Sequence, residues 1–133
     1  MRSQTRTGNS STNIGITGLT LKNTKRRMTD FSVDIIRSFD KYSTSLAYRK
    51  AVEQLLKSAT SVGANYTEAN NASSKTDFKN KIFIAKKEAA ETRYWLEVLS
   101  RVLSEEDLSQ LRQEALEINL ILQRIISTMK NDK

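Results

Sequence analysis

The chain has 133 residues, 28% of them charged, with a formal net charge of +7. It has no Cys, His or Pro, which excludes disulfides, thiolate nucleophiles, Cys-based zinc sites and imidazole acid–base or metal chemistry. The length suits one domain with one real core, and no apolar run approaches the ~20 residues a membrane helix needs. Any catalysis would rest on Asp, Glu, Lys, Tyr, Ser and Thr alone, so a non-enzyme is expected, with no cofactor and no metal.

Charge is unevenly placed. Arg2, Arg6, Lys22, Lys25, Arg26 and Arg27 face no acid in residues 1–29, whereas the remainder is nearly balanced. Residues 1–27 are rich in Ser, Thr, Asn, Gly and Arg and read as a disordered basic arm, with the domain proper at 28–133. Ile14, Ile16, Leu19 and Leu21 alternate weakly, enough for a short strand. The arm fits a tail that touches nucleic acid, a targeting segment, or an extension with no specific role.

From Met28 onward the pattern is helical. A first helix over about 30–42 follows Thr29 as N-cap and carries Phe31, Ile35, Phe39 and Tyr42 on one face. Ser45 caps a second helix, about 46–70, with Tyr48, Val52, Leu55, Ala59, Val62, Tyr66 and Ala69 in alternating steps of four and three. The turn formers of "NNASS" end at Ser74, a cap with Asp77 three positions on. A third helix, about 75–102, carries Phe78, Ile82, Ala85, Ala89, Thr92, Leu96, Leu99 and Leu103 at the same spacing. Ser104 then caps a fourth helix, about 105–130, with Glu105, Glu106 and Asp107 in its first turn and Leu108, Leu111, Ala115, Ile118, Leu122, Ile125 and Met129 inward. Short connections and near-heptad spacing predict an all-α, antiparallel up-down four-helix bundle.

Helices two and three each carry a second row beside the apolar one. On helix two it is Ala51, Gln54, Ser58, Ser61, Asn65 and Glu68; on helix three it is Ile84, Glu88, Glu91, Trp95, Val98 and Val102. Glu88 and Glu91 interrupt an apolar row and need donors. A turn centred between residues 72 and 73 places Ser58 opposite Glu88 and Gln54 opposite Glu91, with Asn65 near Asn80 and Lys81. Gln54, Ser58, Ser61, Asn65, Glu68, Glu88 and Glu91 are therefore expected to form a structural polar network. The competing reading is an acid–base pair, or a hard-cation site from Glu68, Glu88 and Glu91. Tyr94 and Trp95 are adjacent, so both cannot face the same core.

Helix three is the most basic element. Lys75, Lys79, Lys86 and Arg93 share an outward face, and the same register makes Lys50 and Lys57 their neighbours. These six are the candidate contacts for nucleic acid or for another subunit. The acidic face of helix four (Glu105, Glu106, Asp107, Glu114, Glu117) offers the basic face a head-to-tail partner in a closed ring.

"QLLKSATSVGANYTEA" (54–69), "DFKNKIFIAKKEAAETRYWLEVL" (77–99) and "LRQEALEINLILQRII" (111–126) resemble the bacterial four-helix bundle proteins, also known as 23S rRNA intervening-sequence proteins. The accessory variability determinant of diversity-generating retroelements looks like a relative. The resemblance covers about residues 30–130. It implies a cytoplasmic homo-oligomer, typically a ring of five, with no enzyme activity, and for the retroelement relative it implies RNA or DNA and a reverse transcriptase as partners. No membrane partner is implied. The chain departs from that relative in the near-neutral charge of its folded part, and from related chains in carrying the larger Tyr66.

Overall fold

The computed structural model describes residues 18–40, 45–103 and 106–131. Four helices follow one another: α1 Gly18–Phe39, α2 Leu46–Asn70, α3 Lys75–Val102 and α4 Ser109–Asn131. At 1.5 Å per residue they run ~33 to ~42 Å. Each packs against its chain neighbours, and α1 returns to close the cycle on α4, so the architecture is the expected four-helix bundle. The α2–α3 seam is the most extensive and the α1–α4 seam the thinnest.

The ends of α2 and α3 fall where turn chemistry puts them. Ser45 is extended and accepts a hydrogen bond from the Tyr48 backbone N–H at 3.1 Å. Ser74 does the same for Asp77 at 3.0 Å. Each hydroxyl satisfies an amide that the first helical turn leaves open. The start of α4 differs from expectation. The helix begins at Ser109, and Glu106 and Asp107 precede it. Asp107 accepts the Ser109 backbone N–H at 3.0 Å, and the Ser109 hydroxyl, followed by that backbone bond, holds its carboxyl below the usual carboxylate range. A short acidic side chain that captures a local amide delays helix entry in this way. Ser104 and Glu105 lie outside the described residues.

The start of α1 also differs. It begins at Gly18 rather than near residue 30, so residues 18–27 continue the first helix. Thr24 and Met28 are buried, extending inward the row of Phe31, Ile35 and Phe39. Arg27, counted in the sequence as part of a basic tail, forks onto Glu114 of α4 through Nε at 2.7 Å and Nη2 at 2.9 Å, and Nη2 also donates to Glu117. The two carboxylates hold the guanidinium charged against partial burial. This ion pair bridges the seam with the least apolar packing. Residues 1–17 and Tyr42 lie outside the described residues.

The core follows the apolar rows closely. Val52, Leu55, Ala59, Val62, Tyr66 and Ala69 of α2 are buried, as are Ile82, Ala85, Ala89, Thr92, Leu96 and Leu99 of α3. In α4 the row turns slightly near its end, where Ile126 rather than Ile125 is buried. Gly63 lets α1 approach: a Cβ there would stand 3.3 Å from the Met28 Cβ. Tyr66 is fully enclosed, and its hydroxyl is buried without a well-formed hydrogen bond although Asn70 and Thr24 stand beside it. Burial pushes the phenol up from its ordinary value.

Arg27→Met is expected to lower stability by about 1–3 kcal/mol in urea denaturation, because it strands the 13%-exposed Glu114 carboxylate. Arg101→Met, which breaks an exposed pair with Glu97 one turn away on the same helix, should cost under about 0.5 kcal/mol.

Candidate functional site

The α2–α3 seam contains the polar groups singled out in the sequence, but they meet differently. Thr92 and Ser58 face each other, Oγ1 to Oγ, at 3.0 Å, both about 1% exposed. Ser58 also reaches the Leu55 carbonyl at 3.2 Å, and Thr92 the Glu88 carbonyl at 2.8 Å. Two hydroxyl protons thus serve three contacts. Ser58 therefore faces Thr92 and not the Glu88 carboxylate, one helical turn from the expected register. A hydroxyl buried on a helix can donate to its own helix's carbonyls. A carboxylate only accepts, and the helix interior offers it no donor. The seam accordingly buries Ser58 and Thr92 and turns Glu88 and Glu91 toward its half-exposed margin.

The other members of the expected network separate as well. Gln54 is exposed. Ser61 donates to the Lys57 carbonyl at 2.7 Å and Asn65 to the Ser61 carbonyl at 2.9 Å, so both stay within α2. Glu91 accepts the Trp95 indole N–H at 3.4 Å within α3. Glu68 crosses the seam to Lys81 at 2.8 Å, and this contact raises the Lys81 ammonium above its ordinary value. Lys81 is two turns from Glu88, so Glu68, Glu88 and Glu91 do not converge. Among the described residues no acidic cluster is arranged to hold a metal ion.

The six basic candidates do not form one patch. Thr92 and Lys81 mark the flank of α3 that faces α2. Arg93 lies instead on the flank facing α4, where it lines a cleft of about 310 Å³ with Leu96, Glu97, Ser109, Arg112, Gln113 and Leu116. At ~100° per residue, Lys75, Lys79 and Lys86 share that side of α3, while Lys50 and Lys57 sit on the outer face of α2, next to the opposite flank of α3. Glu97 in the cleft is tied to Arg101 at 2.7 Å. The acidic face of α4 is also reduced. Glu114 and Glu117 are engaged by Arg27, and of the described acids just before the helix, Glu106 and Asp107, the second is bonded to Ser109.

What the periodicity did not single out is a pair of exposed faces on α3. One carries Ile84 (39% exposed) and Val102 (60%), with half-buried Trp95 and Val98 between them. Leu46, 63% exposed at the start of α2, lies at the same end of the bundle as Val102. The other carries Phe83 and Tyr94, 47% and 58% exposed, among lysines. The Tyr94 and Trp95 rings meet edge to face at 5.0 Å, at the boundary between the two faces. The signal for the first was present in the second row on helix three, where apolar residues continue past the core; Phe83 and Tyr94 lie outside that row.

The model of the 23S rRNA-intervening sequence protein family matches residues 23–124. The chain belongs to that family. A crystal structure of a protein of unknown function from the S23 ribosomal protein family of Bacteroides thetaiotaomicron is similar, at 36% identity and a TM-score of 0.69, covering 77% of this chain and 97% of that one. No curated protein matches the chain. The match of the 23S rRNA-intervening sequence family model opens at residue 23, inside α1, which agrees with a bundle that includes the second part of the supposed arm.

A double-mutant cycle on Ser58→Ala and Thr92→Val should give a coupling of about 0.5–1.5 kcal/mol by denaturant unfolding. Glu88→Gln should stay within about 0.5 kcal/mol of wild type, because only its backbone carbonyl enters the hydroxyl contact.

Proposed function

We propose that the protein is a non-catalytic scaffold that self-associates through the α2-side outer face of α3. The observation that carries this reading is the apolar row of Ile84, Trp95, Val98 and Val102 on a helix whose inward face is already filled by core residues. Isolated exposed apolar residues are ordinary, but a row along one helix face marks a contact surface. Burying the exposed parts of Ile84 and Val102 contributes on the order of 1 kcal/mol each per protomer.

A second copy suits the surface because the surface is mixed in sign as well as apolar. Glu91 lies within the row, and Lys50 and Lys57 lie on the adjacent edge of α2; none of the three makes an ion pair with another described residue. Apolar centre and opposite charges on one surface are what a contact between copies requires. The ring of five implied by the family resemblance is the assembly this reading favours. A different protein, a reverse transcriptase included, is the competing occupant of the same row. No helix among the described residues is long and apolar enough to cross a membrane.

Light scattering of the full chain after size exclusion, at low and high salt, checks the proposal. A mass several times 15.1 kDa, persisting at high salt, is expected. Ile84→Glu and Val102→Glu are exposed substitutions that preserve helicity, and each should shift the mass toward one protomer. A monomeric wild type at tens of micromolar, or an assembly untouched by both variants, contradicts self-association and leaves the row to another protein.

A further inference from the structure

Beside the apolar row, about 90° around α3, the outward face carries Phe83, Lys87 and Tyr94, and its α4-side edge carries Lys79, Lys86 and Arg93. Phe83 and Tyr94 are 47% and 58% exposed. The four cations make no ion pair with another described residue. The acids of α3 are elsewhere: Glu88 and Glu91 turn to the α2 side, Asp77 lies at the capped start of the helix, and Glu97 is neutralised by Arg101. The result is a strip about 22 Å long with four uncompensated positive charges and two exposed aromatic rings about 16 Å apart along the axis.

We infer that this strip binds single-stranded nucleic acid, with Lys79, Lys86, Lys87 and Arg93 on the phosphates and Phe83 and Tyr94 stacking against unpaired bases. Two observations select this ligand. The charge pattern demands a polyanion whose charges repeat along a line, and the strip is as long as roughly half a dozen nucleotides at helical spacing. The rings demand flat apolar partners between those charges, which a single strand offers and a paired duplex keeps inside its stack. An acidic peptide would satisfy the lysines and leave both rings in water. The strip lies outside the row assigned to self-association, so the inference does not depend on that assembly. It also moves the expected nucleic-acid contact away from Lys50 and Lys57, which sit on the outer face of α2, on the far side of the apolar row.

The test is fluorescence anisotropy of the full chain with a labelled 12-nucleotide single-stranded RNA, the DNA of the same sequence, an abasic strand of the same length and an oligo-glutamate peptide, over a salt series. Binding to RNA or DNA should weaken linearly in log salt, and the abasic strand should bind at least tenfold more weakly. Phe83→Ala and Tyr94→Ala should each lower affinity roughly 5- to 100-fold without changing the salt slope. Phe83→Leu and Tyr94→Leu, which keep the apolar surface but lose the ring, should behave in the same way. Lys86→Ala and Lys87→Ala should each reduce the slope by about 0.7. Equal binding of the abasic strand or the peptide overturns the inference, as does an affinity indifferent to both aromatic positions, or no binding at low salt. The mass of the same samples by light scattering reports assembly separately, so the two readings fail independently.

Discussion

The contact between Ser58 and Thr92 in the α2–α3 seam governs how α3 is rotated, and the rotation decides which of its faces remain for other uses. Ala59 of α2 and Ala85 and Ala89 of α3 are likewise essentially inaccessible to solvent. Small side chains let two helices approach closely, and the paired hydroxyls add a directional bond that tolerates little slip. With that register, the carboxylates of Glu88 and Glu91 are carried to the margin, the Trp95 side chain half-covers the seam, and Phe83 and Tyr94 are held in solvent. A carboxylate buried in place of Thr92 would need donors that the neighbouring carbonyls cannot supply.

Much of the fold was legible because the code for it is simple. The alternation of three and four in residues 48–69 and 78–103 marks the buried face of α2 and α3 almost residue by residue, and Ser45 and Ser74 mark their starts through hydroxyls that cap open amides. What was not legible depends on partners far apart in the chain. Nothing in "KNTKRRM" announces a helix, since its charged residues suit an extended arm equally well. Only Glu114 and Glu117, nearly ninety residues on, give Arg27 a reason to lie against the bundle. Asp107 similarly reads as a first-turn acid until its bond to Ser109 places it before α4.

The candidate site was half legible for a related reason. Glu88, Glu91, Trp95 and Val98 of the second row on helix three are half-buried, but the partner of Ser58 lies one turn from where counting from the loop puts it. Counting from the middle of a loop treats two helices as a flat ladder. The seam is settled instead by which polar side chain can be buried most cheaply, and a threonine satisfied by its own helix outcompetes a glutamate. The same shift dissolves the presumed union of Lys50 and Lys57 with the lysines of α3, and the Arg27 fork removes two acids from the surface of α4. Both corrections move function from a contact of opposite charges toward two adjacent faces of one helix, one apolar and one cationic with exposed rings.

That division of α3 can be measured directly by hydroxyl-radical footprinting of the full chain, read by mass spectrometry across a dilution series. The account predicts that Ile84 and Val102 become protected as concentration rises, while Phe83 and Tyr94 stay reactive throughout and are shielded on addition of a single-stranded oligonucleotide. Protection of Phe83 and Tyr94 by concentration alone, or unchanging reactivity at Ile84 and Val102, would contradict it.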